Sequence, residues 1–130
     1  MNKEQLISKL EELNFPLGDY YLLSSGCLML YGMREEIGDI DLCISDKLFD
    51  SIKEKYELTE DKKNECGFYK VNDYLEVVVN PKESLQYDMK DGYPVEKLTT
   101  ILNFKLKRNK EIDQKDIVNI QNYLRGHKNN

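Results

Sequence analysis

The chain has 130 residues, 40% of them hydrophobic and 33% charged, a balance that builds one folded domain over 1–130 and excludes a disordered chain. Its net charge of −5 excludes a fold-wide electrostatic trap for nucleic acid, so any such contact needs a local basic strip. The three cysteines, Cys27, Cys43 and Cys66, an odd count without tight spacing, argue against a disulfide framework and against a zinc knuckle. No signal peptide follows the charged start Met1-Asn2-Lys3-Glu4, and no apolar run nears the roughly 18 residues of a membrane span. A cytoplasmic setting with no membrane partner is therefore expected.

Leu6, Ile7, Leu10 and Leu13 recur at helical spacing and predict an amphipathic helix from about Lys3 to Asn14, ended by Asn14-Phe15-Pro16-Leu17-Gly18. Tyr20 to Leu23 reads as a buried strand, Ser24-Ser25-Gly26 as a turn, and Cys27 to Tyr31 as a short buried helix stopped by Gly32. Ile40, Leu42 and Ile44 alternate with Asp39, Asp41 and Cys43, which predicts a strand with one apolar and one mostly acidic face. Asp46 is a good cap for a helix from about Lys47 to Lys55. Strands are expected over Tyr56 to Thr59, Gly67 to Val71 and Tyr74 to Val79, the first two joined by Glu60 to Glu65 and the last two by a turn at Asn72-Asp73.

Gln86 to Tyr93 reads as a loop, Thr99 as the cap of a helix to about Lys110, and Ile117, Ile120 and Leu124 as the buried stripe of a last helix from about Gln114 to Leu124. The residues after Arg125 read as a loose tail. The predicted class is α/β (α+β), a mixed β-sheet with flanking helices.

The strongest chemical signal is Gly38-Asp39-Ile40-Asp41-Leu42. On a strand, side chains two residues apart point the same way and lie about 6–7 Å apart, so both carboxylates can converge on one hard cation. Mg²⁺ takes oxygen ligands and usually completes its shell with phosphate and water. Unpaired, two such carboxylates would repel each other and lose solvation, a cost that a metal relieves. The bland alternative is a pair of surface acids on a solvated edge. Upstream, the small residues Ser24-Ser25-Gly26 ahead of an apolar helix either let backbone and hydroxyl groups approach a phosphate or form a plain cap turn.

Taken together, Ser24 to Ile44 resembles the signature of the nucleotidyltransferase superfamily, which shares its core with DNA polymerase β. The similarity is greatest to a bacterial group with a pattern of the type Gly-Gly-x-Ala-Leu-x-Leu-Tyr-Gly-x-Arg-x-x-Thr-x-Asp-Ile-Asp-Leu. That group includes toxins of type IV toxin–antitoxin systems. The doublet falls on Ser24-Ser25, Leu-x-Leu-Tyr-Gly on Leu28 to Gly32, the arginine on Arg34 and the acidic pair on Asp39 and Asp41. The resemblance implies a third acid on a later strand, best matched by Glu76 with Asp73 in reserve. It also implies a helical lysine followed by an Arg-x-Lys and spaced aspartates, matched by Lys105, Arg108, Lys110, Asp113 and Asp116. The chain departs from the pattern at Ser24 (glycine in the family), Ile37 (threonine) and Glu76 (aspartate), changes that bear on activity more than on fold.

What the resemblance implies is a minimal nucleotidyltransferase fold that moves a nucleoside monophosphate from a nucleoside triphosphate, ATP among them, to an acceptor hydroxyl. Asp39, Asp41 and Glu76 would bind Mg²⁺, and Ser24, Ser25, Arg34 and Lys105 the nucleotide. The acceptor would be RNA, a protein side chain or a small molecule, and a second copy or an antitoxin-type partner is open. Lys105 reads equally as part of a solvated basic face. Lys107, Arg108 and Lys110 read better as that face, with Asp113 and Asp116 capping the next helix. The competing readings are a catalytically weak module that binds nucleotide or a partner protein, and a structural domain with surface acids. His127, in the polar tail, is not expected to act as a base. Cys27 and Cys43 read as core packing, Cys66 as inert, and Tyr31 or Tyr93 as candidates to stack on a base.

Overall fold

A computed structural model describes residues 1–81 and 85–127. The elements run α1 (Lys3–Leu13), β1 (Tyr20–Leu22), α2 (Ser24–Leu30), β2 (Ile40–Ser45), α3 (Asp46–Ile52), β3 (Phe68–Lys70), β4 (Leu75–Asn80), β5 (Asp88–Lys90), β6 (Tyr93–Val95), α4 (Leu98–Arg108) and α5 (Gln114–Gly126). The six strands form one mixed sheet in the order β3-β4-β2-β1-β6-β5. β2 runs parallel to β4 and antiparallel to β1, and β1 runs parallel to β6. This is the expected α+β class.

Alternation decides which side of the sheet is buried. Leu22, Ile40, Leu42, Ile44, Leu75, Val77 and Val95 are fully buried and share one face. Against them pack Leu6 and Leu10 of α1, Cys27 to Leu30 of α2, Leu48 and Ile52 of α3, Leu98 and Ile101 of α4 and Ile120 of α5. Each buried aliphatic side chain contributes about 1.5–3 kcal/mol, so this face holds the fold. The opposite face carries Tyr21, Asp41, Glu76 and Val78, which stay half-buried, and Lys70, which is exposed. One strand thus presents leucine and isoleucine to the core and aspartate to the open side.

Several boundaries differ from expectation for local reasons. Tyr56 to Thr59 is not a strand. Glu57 turns the chain at φ 52°, and Leu58 donates its N–H back to the Lys53 carbonyl, which uses the group a ladder would need. Gln86 to Tyr93 is not a loop: it holds β5 and the start of β6, joined through Asp91 (φ 53°) and Gly92 (φ 87°), the left-handed pair that a two-residue hairpin demands. Ser45, not Asp46, caps α3, its Oγ accepting from Leu48 N–H at 3.1 Å. α4 begins one residue before Thr99, and α5 runs on through Gly126, which the tail had been expected to contain. The rest of that tail, 128–130, lies outside the described residues.

Candidate functional site

The acidic cluster is built by strand pairing. In the parallel β2·β4 ladder, Asp41 is the direct partner of Glu76, 35 residues on, so alternation places both carboxylates on the open face. Asp39 sits exposed just before β2 begins. Burial raises the Asp41 carboxyl from its usual 3.8 to about 6, and the charges of Glu76 and Asp39 push the same way. Asp41 Oδ1 is buried and accepts no hydrogen bond from any described residue. An unpaired buried acceptor costs about 1–3 kcal/mol, so Asp41 is held in a state that a cation or a proton would relieve. Among the described residues, no group of three or more His, Cys, Asp or Glu is arranged to hold a metal ion.

Ser24 and Ser25 are not a separate turn but the first residues of α2, and they border this cluster: the preceding residue, Leu23, donates its N–H to the Asp41 carbonyl at 2.9 Å. Ser24 adopts φ 34°, a conformation natural to glycine, which accounts for the glycine of the resembled pattern at this position. Its N–H is engaged by Glu96 Oε1 at 2.9 Å. Glu96 went unnoticed in the sequence. It reaches Ser24 because β6 pairs with β1 through Leu22 and Val95, a contact between segments far apart in the chain. Burial raises the Glu96 carboxyl, opposed by the Ser24 N–H and the Lys105 charge.

The expected nucleotide-binding cations are placed in a charge network of their own. Lys105 is 5% exposed, its Nζ 3.1 Å from Asp113 and 3.3 Å from Asp116. Arg34 grips Asp116 with two hydrogen bonds of 3.1 and 2.5 Å, and Arg108 grips Asp113 with two of 2.8 and 2.5 Å. Arg108 together with Lys105 holds the Asp113 carboxyl down to about 2, against its own desolvation. Burial pulls Asp116 up, and Arg34 with Lys105 pulls it further down. Asp113 and Asp116 therefore serve these cations; Asp113, which stands at the head of α5, makes no side-chain cap there.

The remaining candidates lie elsewhere. Asp73 is exposed in the β3–β4 turn. Tyr31 packs edge-on against Tyr123, and the Tyr93 hydroxyl donates to Glu11. His127 stacks on Tyr123 at the end of α5. Cys27 and Cys43 are buried and Cys66 is exposed. A cavity of about 570 Å³ opens between the segment after α2 and one face of α5, lined by Arg34, Lys115, Asn119 and Tyr123 among others. No helix among the described residues is long and apolar enough to cross a membrane. Compared with family models, with curated proteins and with solved structures, the chain matches none of them.

Proposed function

We propose that the open face of the sheet is a divalent-cation and nucleoside-triphosphate site, and that the chain is a nucleotidyltransferase of the type its sequence resembles. The observation that carries this is Asp41: a half-buried carboxylate with an orphaned oxygen, paired across the ladder with Glu76 and flanked by Asp39. An oxygen-only donor set of this kind suits Mg²⁺, with Asp41 and Glu76 as ligands and Asp39 drawn in by rotation of its exposed side chain. Bound there, the ion would neutralise charge on the triphosphate and align the attacking oxygen. Asp41 and Glu76 fix the position of that charge because their strands are locked by the core on the other side. In this proposal Glu76 would also help activate the acceptor hydroxyl.

Ser24 and Ser25 follow Leu23, whose N–H meets the Asp41 carbonyl, and their hydroxyls would be the phosphate contacts of this proposal. The Ser24 amide is already bonded to Glu96. Arg34 and Lys105 would reach a nucleotide only by leaving Asp113 and Asp116. These two commitments favour a second reading, a module that binds nucleotide with Mg²⁺ and transfers slowly or not at all.

The experiment is incubation with α-labelled nucleoside triphosphates, Mg²⁺ and either total RNA or protein acceptors. Label transfer that disappears in Asp41→Asn supports the enzyme. Thermal stabilisation by nucleotide plus Mg²⁺ without transfer supports the module. Absence of both overturns the site.

A further inference from the structure

The open face carries aromatic surface beside the acids. Tyr21 of β1 is the antiparallel partner of Cys43, and Cys43 stands two residues along β2 from Asp41, so all three side chains share one face. Strand and residue spacings put the Tyr21 and Asp41 Cα atoms about 8 Å apart. Tyr87, just ahead of β5, lies over Tyr21 with ring centroids 6.0 Å apart and planes inclined by 25°. Both rings are half-buried and keep exposed surface. The Tyr21 ring is half-buried against Tyr87, which limits its freedom before any ligand arrives.

Resting on the metal–nucleotide reading above, we propose that the Tyr21–Tyr87 pair is the platform on which the base of the bound nucleotide stacks. The pair and the acids share one face, two residues apart along neighbouring strands, so a single extended ligand can touch both. Stacking uses the π-face that every base has, so this surface accepts any of the common bases and reads none of them closely. A fixed ring loses little freedom when the base arrives, so the contact favours binding at low entropic cost. The site is therefore one for nucleoside triphosphates as a class, with the choice of base weak.

The test compares ATP with inorganic tripolyphosphate, each with Mg²⁺, on the intact chain and on Tyr87→Leu, Tyr21→Leu and Tyr21→Phe. The base should improve binding at least about tenfold over tripolyphosphate in the intact chain. Tyr87→Leu and Tyr21→Leu should each lose about tenfold for ATP and leave tripolyphosphate unchanged, while Tyr21→Phe stays near the intact chain. Tyr87 stands outside the strands, so its variant reports even where Tyr21→Leu fails to fold. If the intact chain binds tripolyphosphate in an Asp41-dependent way but gains nothing from the base, the platform is overturned and the metal site stands. Loss of both ligands to the same degree in Tyr87→Leu also overturns the platform. If neither ligand binds the intact chain, the metal site falls and the platform with it.

Discussion

Asp41 and Ser24 are the two residues whose local cost is plainest. The Asp41 carboxyl rises to about 6 from 3.8, so the folded chain holds a proton there more tightly than the unfolded chain does. Its penalty is full above about pH 6 and fades as pH falls towards 3.8. Asp41→Asn should therefore stabilise the metal-free protein at pH 7 by about 1–2 kcal/mol, allowing for partial solvation, and remove any added stability from Mg²⁺. Thermal melts with and without Mg²⁺ at pH 7 check both halves. For the same reason Mg²⁺ affinity should fall below pH 6, as protons compete for the carboxylate, which calorimetric titration at pH 5 and 7.5 would measure. Ser24 holds φ 34° with a Cβ present, and Ser24→Gly should stabilise the chain by about 0.5–1 kcal/mol in chemical denaturation. A decrease instead would show that the hydroxyl matters to the fold.

Among the elements, α2 and the α4–α5 pair show how much rests on close approach. Gly26 lets α2 settle on β1: a Cβ there would stand 2.9 Å from Leu22 Cδ2, and Leu22 is fully buried with little room to yield. Gly26→Ala should cost about 1–3 kcal/mol, read as a lowered denaturation midpoint with an unchanged slope. Between α4 and α5, Asp116 neutralises both Arg34 and Lys105 with its side chain only 6% exposed. Asp116→Asn removes the carboxylate of Arg34 and leaves Lys105 with Asp113 alone, and should cost about 1–3 kcal/mol, partly recovered in Asp116→Asn combined with Lys105→Met.

These elements also show what the residues disclosed in advance. The Ile40, Leu42 and Ile44 alternation gave β2 and the side on which its acids lie, because period two is a property of the strand alone. The Asp91-Gly92 hairpin was passed over because its flanks, Asp88 to Lys90 on one side, are too polar to read as strand. Neither reading of Lys105, as a nucleotide contact or as part of a solvated face, foresees its burial, because its partners are brought in by the turn at Glu111–Asp113, not by helical spacing. Glu96 was hidden for a related reason: its contact with Ser24 exists only once β6 has paired with β1.

For the whole molecule the two groups of carboxylates titrate in opposite senses. Asp41, raised to about 6, and Glu96, raised by burial, both carry a penalty in the charged form that protonation relieves as pH falls. Asp113, held down to about 2, and Asp116, lowered by its cations, contribute stability that is present above the ordinary carboxylate range and is lost as pH falls below it. The stability curve should be level or rising from pH 7 to 4.5 and then drop steeply below 4. Urea midpoints across that range would reveal a different order of events if the network were only superficial.

The pairing of β2 with β4 ties the acidic face to the integrity of the fold in one further way. Asp41 and Leu42 are neighbours on the same strand, one turned outward and one sealed in the interior. A slip of β2 by one position would drive the aspartate into the hydrocarbon interior and push leucine into water, along its whole length. The buried aliphatic face therefore selects the one register that keeps both carboxylates together on the outer side of the sheet.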